Sequence, residues 1–162
     1  MLDKDQPAIM RGPLISGILR QFLEQQAVRS GRNLEELETR FMTITLNWTA
    51  EQSRLLRQTF KTEHYQNLHR EWQHIERAWW LAVERGCYDL LESCWDILFY
   101  FEAIGTWGQG DAFFDLTWRQ VPAEQRRMLA RLDEAQALMA GRLYEMPRSV
   151  NLAQRSLDTL EE

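Results

Sequence analysis

Between Cys94 and Pro122, large and small residues recur at the spacing of two antiparallel helices joined by a tight turn, and this pattern most narrows the folds open to the chain. Cys94, Ile97, Leu98 and Phe101 recur at intervals of three and four, so they share one helix face and must bury it against a partner. Gly105 can take the left-handed conformation that ends a helix, and Gly110, lacking a Cβ, lets a second helix approach closely. Phe114 and Thr117 continue that second helix. Pro122 stops it, because proline suits only the first turn of a new helix.

The same periodicity runs through the rest of the chain. It predicts a helix from near Pro13 to Gly31, through Ile18, Phe22 and Val28. A second starts after Asn33, which has capping-box-like spacing to Glu36, and carries Leu34, Leu37, Phe41, Ile44 and Trp48 toward Phe60. A third covers Glu63 to Arg85, with Tyr65, Leu68, Trp72, Ile75, Trp79, Ala82 and Val83 on one face and Gly86 as its stop. Further helices are expected over Tyr88 to Ile104, Gln109 to Gln120, Ala123 to Ala140 and Arg148 to Leu160. No alternating strand-like runs bounded by hairpin turns occur. Short connections favour antiparallel neighbours.

The expected architecture is therefore all-α, a single domain of about seven helices whose antiparallel hairpins stack as a short α-solenoid or else close into a bundle. N-terminal helices occupy 12–60, the best repeat-like region 63–122 and a looser second pair 123–162. In that second pair Ala137 and Ala140 take close-packing positions, and Ser149, Ala153, Ser156 and Leu157 lie on the next helix. The stretch from Gly141 to Pro147 would make its connection longer than a usual turn.

At 162 residues, 44% hydrophobic and 27% charged, the chain can bury one core. A net charge of -5 argues against nucleic acid as a partner, since phosphate neutralisation needs a basic face. If Cys87 and Cys94 share one helix, a rise of ~1.5 Å per residue separates their Cα atoms by about 10 Å, too far for a disulfide. Reduced core cysteines, a polar start and no apolar run near the ~20 residues of a membrane span lead to the expectation of a cytoplasmic protein without membrane contact.

The order of residues from Cys94 to Pro122 resembles the tetratricopeptide repeat, a helix pair with a Gly-x-Tyr turn and a closing proline. On that pattern Gly105 and Trp107 are the turn, and Gly110, Phe114, Thr117 and Pro122 the second-helix signature. Leu98 departs from it, standing where a small residue is usual, which implies a wider or tilted crossing. A longer stretch looks like the repeat region of bacterial STAND signalling NTPases. It comprises Glu63 to Leu68, Ala78 to Gly86, the aromatic run Trp95 to Phe101 and Gly105-Thr106-Trp107. Pro13-Leu14-Ile15 with Phe22-Leu23 resembles the segment that leads into those repeats. The resemblance implies a sensor or scaffold unit working with an NTPase or effector domain. The NTPase itself is not implied in this chain, because no Gly-x-x-x-x-Gly-Lys-Ser/Thr is present.

A helical-repeat groove binds through exposed aromatic and arginine anchors. Trp80, Tyr100, Trp107 and Trp118 are the candidates, since they cannot all share a buried face with Trp72, Trp79 and Trp95. Arg70, His74 and Arg77 lie four and three residues apart on the side of the third helix opposite its apolar stripe, where they could hold a phosphate or carboxylate. The partner is then a protein or a small ligand, with binding tilting the helix pair about Gly105; a self-associating scaffold is the alternative. Glu71 and His74 have the Glu-x-x-His spacing of metal-binding bundles, but no second copy exists. His64, His69 and His74 recur every five residues and point to different faces. No catalysis, no cofactor and no metal are expected.

Overall fold

The computed structural model describes residues 33–161, and the expected Pro13–Gly31 helix, with its Pro-Leu-Ile segment, lies outside the described residues. Among the described residues the chain is all-α, with no strand. The helices are α1 Leu34–Thr59, α2 Thr62–Arg70, α3 Trp72–Glu84, α4 Tyr88–Ser93, α5 Leu98–Ile104, α6 Trp107–Trp118, α7 Arg126–Arg142 and α8 Met146–Glu161. A 3-10 turn, Trp95–Ile97, joins α4 to α5.

α1 begins where Asn33 accepts a hydrogen bond from the Glu35 N–H at 3.1 Å. Glu35 and Glu36 in its first turn and Arg57 in its last complement the helix dipole. The side it buries is not the stripe expected from sequence. Leu34, Leu37, Phe41 and Trp48 are half-buried and Ile44 is 59% exposed, whereas Met42, Leu46, Thr49, Ser53 and Leu56 face the core. Thr49 and Ser53 tolerate burial because each hydroxyl donates back to the helix, to the carbonyls of Thr45 (2.8 Å) and Thr49 (2.6 Å). Their small size lets the chain approach α1 so closely that the Cys94 thiol donates to the Leu46 carbonyl at 2.9 Å.

Two expected helices are interrupted. Glu71, at φ -95° and ψ 7°, separates α2 from α3. At Cys94 the chain tightens into 3-10 geometry, with i to i+3 bonds from the Cys94 N–H to Leu91 and from the Ile97 N–H to Cys94. Ser93 turns its hydroxyl back onto the Leu90 carbonyl at the same place. The first helix of the Cys94–Pro122 pair is thereby reduced to the seven residues of α5.

α1 stops at Phe60, in a left-handed conformation at φ 50°, while α3 and α5 stop at glycines. Gly86 and Gly105 take φ of 66° and 68°. At each, two N–H groups reach back to the preceding turn: Cys87 to Ala82 and Gly86 to Val83, then Thr106 to Phe101 and Gly105 to Glu102. The same arrangement ends α7, where Tyr144 at φ 62° stands in the position usually given to glycine. Helix α7 runs to Arg142, so the connection to α8 is a three-residue turn and not the long loop expected.

The core is aromatic. Phe113 of α6 lies 5.0 Å from Trp79, 5.6 Å from Trp72, 5.7 Å from Trp80 and Phe101, and 5.5 Å from Phe114, centroid to centroid. Trp79 is fully buried, and its indole N–H donates to the Thr117 hydroxyl at 3.0 Å. That hydroxyl in turn donates to the Phe113 carbonyl at 2.9 Å.

Two glycines two residues apart on α6, and so on different sides of the helix, make opposite predictions. A Cβ on Gly110 would lie 2.8 Å from Phe101 Cγ and 3.0 Å from Met139 Sδ, so Gly110→Ala should lower unfolding stability by about 1–3 kcal/mol through overpacking. A Cβ on Gly108 meets nothing within 4 Å, so Gly108→Ala should raise it by about 0.4–1 kcal/mol. Urea unfolding of both variants checks the pair, and equal effects would contradict the close crossing.

Candidate functional site

The turn between α5 and α6 forms one wall of a shallow furrow of ≈ 330 Å³, lined by Gly105, Thr106, Trp107, Gly108, Gln109, Ala112 and Leu143. Gly105 makes the turn possible by taking a left-handed conformation with no neighbour within 4 Å of a would-be Cβ. Thr106 caps α6 without a side-chain hydrogen bond. Its Oγ1 and the Trp107 Nε1 are buried atoms with no hydrogen-bond partner, an arrangement that costs roughly 1–3 kcal/mol per group unless a further group satisfies it.

Leu143, in the turn after α7, supplies the opposite wall. Its position is fixed by ion pairs that bracket it along the chain. Arg142 makes two bonds of 2.9 Å to the carboxylate of Glu102 on α5. Arg148 grips Asp111 of α6 with both guanidinium nitrogens at 2.9 Å and reaches Glu145 at 3.0 Å. These carboxylates hold both arginines above their ordinary pKa, the hydrogen bonds to Glu102 and to Asp111 being the largest cause in each case.

A larger open depression of ≈ 590 Å³ is lined by Asn33, Glu35, Glu36, Thr39, Arg40, Thr43 and Ile44. All seven belong to α1 or its cap, so they form one helix face without an opposing wall. The smaller furrow, built from two turns that face each other, has the better shape for recognition.

Of the residues expected from sequence to bind, only Trp107 lines the furrow. Trp80 is half-buried against Phe113. Trp118 is half-buried beneath the Arg155 guanidinium, 4.7 Å from its ring, with an indole nitrogen that has no partner. Tyr100 is 3% exposed and is not a surface anchor. It stacks on Trp72 at 4.8 Å and 11°, and its hydroxyl lies 2.9 Å from His69 Nδ1.

The three expected cations do not form one stripe. Arg70 ends α2, while His74 and Arg77 lie on α3 beyond the interruption at Glu71. His74 Nδ1 is 2.9 Å from the Glu71 carboxylate, and Arg77 sits 4.0 Å from Glu38 of α1, which also pairs with Arg85. Two of the three thus already face a carboxylate within the fold. Glu71 and His74, the Glu-x-x-His pair, bond to each other across the helix break. Among the described residues no group of three or more His, Cys, Asp or Glu side chains converges to hold a metal ion. None of the described helices is long and apolar enough to cross a membrane.

Sequence reasoning missed Thr106, Gly108, Gln109, Ala112 and Leu143 as site residues. Thr106 had a local signal, as the residue between a helix-ending glycine and the next helix. Leu143 had none, since its contact with the α5–α6 turn is tertiary. No family model matches the chain, and neither a curated protein nor a solved structure matches it.

Both cysteines are free thiols. Burial pushes the Cys94 thiol from an ordinary 9.0 up to about 12, and burial followed by the neighbouring Tyr65 pushes the Tyr100 hydroxyl from 10.0 to about 12. In both cases the folded state keeps a proton that the unfolded state releases first, so stability is complete below pH 9 and declines from there toward pH 12. Denaturant unfolding across that range should show the decline. In Cys94→Ala its onset should move up toward pH 10, where Tyr100 alone contributes; an unchanged onset would contradict the assignment.

Proposed function

We propose that this chain is a non-catalytic recognition module, a tetratricopeptide-like stack of helical hairpins in a cytoplasmic signalling or regulatory system, which seats at Trp107 a large side chain of a protein partner that carries both apolar surface and a hydrogen-bonding group. The reading is supported chiefly by the combination found in the furrow: apolar walls from Trp107, Ala112 and Leu143 beside two buried polar atoms, Trp107 Nε1 and Thr106 Oγ1, that lack partners. At ≈ 330 Å³ the space lies at the small end of the ~300–1,000 Å³ of ligand cavities, a size suited to one large side chain carried by a peptide. The half-buried indole of Trp107 supplies the rigid aromatic contact typical of interface anchors.

The neighbouring elements fit a relay. Gly105 joins two short helices, and Gly110 presses the second of them onto Phe101 of α5 and Met139 of α7. A change in the tilt of α6 would therefore reach α7, from which an NTPase or effector domain could sense it. The Glu-x-x-His pair gives little support to the metal-enzyme alternative, because its two members satisfy each other.

Peptides selected from a random library against the full chain should protect backbone amides of 105–112 from hydrogen exchange. Trp107→Ala should weaken their binding by about 30-fold or more, the effect of losing an anchor worth ~2 kcal/mol. Leu143→Lys, on the opposite and more exposed wall, should weaken it without lowering the melting temperature. Binding that survives both substitutions would sink the proposal.

A further inference from the structure

Helix α8 divides its residues in an unusual way. The side packed on α7 carries one buried aliphatic residue, Leu152, and two serines. Ser149 donates to the Ala137 carbonyl and Ser156 to the Ala130 carbonyl, both at 2.8 Å, against the small residues Ala137 and Ala140. Arg148 and Arg155 complete the attachment through Asp111 and Asp133. The larger aliphatic residues face solvent instead. Met146, Val150, Leu157 and Leu160 are 57%, 61%, 56% and 60% exposed, and Ala153 between them is exposed as well.

These five residues follow one another at intervals of four, three, four and three. That is the heptad spacing by which one helix seats against another along a seam. The stripe lies about 100° round the helix from the side facing α7, so a partner can reach it without displacing α7.

We infer that this stripe pairs with the same stripe of a second copy of the chain, antiparallel about a two-fold axis, so that two α7–α8 hairpins form a four-helix bundle. The order of residues favours a second copy. Read from either end the stripe runs large, large, small, large, large, with Ala153 at its centre. Antiparallel pairing places Ala153 against Ala153 at the axis, where the helices come closest, Val150 against Leu157 and Met146 against Leu160. A two-fold interface requires this kind of self-complementarity.

Charge agrees. None of the five residues is charged, and the flanking Ser149, Gln154 and Ser156 are neutral, so a chain of net charge -5 can meet itself along this seam with like charges, Glu145 and Glu161, confined to its two ends. Area sets the strength. The stripe offers on the order of 450 Å² per copy, below the ~800 Å² per partner of a standard stable complex, so the dimer should dissociate on dilution.

Sedimentation equilibrium of the full chain tests the inference. Between about 1 μM and 1 mM the apparent mass should rise from the 19.3 kDa of one chain toward twice that value. Val150→Glu and Leu157→Lys should each remain at one chain mass, with the helical circular dichroism and melting temperature of the parent, because both positions are exposed. An equimolar mixture of the two variants should recover association by at least about tenfold over either alone, since antiparallel pairing sets the new carboxylate opposite the new ammonium. A parent chain that stays at one chain mass up to about 1 mM, or variants that associate as the parent does, would overturn the inference. A mixture that fails to associate would overturn the antiparallel pairing.

Discussion

The hydrogen bond from Trp79 to Thr117 is the interaction on which the rest of the packing depends. An indole can be sealed completely inside a core only if its N–H finds an acceptor, and the Thr117 hydroxyl is that acceptor. Because the hydroxyl also donates to the Phe113 carbonyl, it fixes the rotation of α6 relative to α3. Phe113 is then turned into the centre of five aromatic rings drawn from α3, α5 and α6. Such rings resist sliding, since packed aromatic pairs have preferred geometries. The orientation of α6 is settled before the surface is reached.

That orientation leaves little freedom to the turn that precedes α6. Gly110 meets Phe101 on one side and Met139 on the other, so α5, α6 and α7 come together at one small residue. The chain must reverse just upstream, and Gly105 does so in a left-handed conformation. The furrow at Trp107 is therefore a consequence of core packing. Its far wall is held differently, by the arginine–carboxylate bonds of Arg142 and Arg148, which act from the surface and would weaken at high salt. One wall is rigid and the other is fastened by charge.

What could be read from sequence was mainly what glycine alone dictates. Gly86, Gly105 and Gly110 each perform the role their surroundings suggest, because a left-handed stop or a close crossing excludes other residues locally. The interruptions at Glu71 and Cys94 carry no glycine or proline, so no local signal marks them. The buried side of α1 was hidden for another reason. Two stripes compete on that helix, and the one that wins contains Thr49 and Ser53, whose hydroxyls bond to their own backbone and so pass as core residues. Tyr100 looked like a surface anchor because so many aromatics could not all share one buried face, yet Trp72 and His69 satisfy its ring and its hydroxyl together. Tyr144 ends α7 in a conformation that residue type would not suggest. The candidate site was legible only at Trp107, beside the glycine that creates its turn.

Polar and apolar fastening are also distributed along the chain in opposite senses. From α1 to α6 the helices are joined by buried aliphatic and aromatic side chains, with hydroxyls serving to satisfy what burial leaves over. At α8 the order is reversed, since serine hydroxyls and arginine ion pairs attach the helix while its aliphatic residues face outward. Hydroxyl and guanidinium contacts are directional, so they hold α8 in one rotation about its axis even though few apolar atoms are buried there. A helix held only by greasy contacts could roll until its larger side chains were covered by α7. The bonds from Ser149 to Ala137 and from Ser156 to Ala130 prevent that roll, and in preventing it they keep the aliphatic stripe presented to solvent.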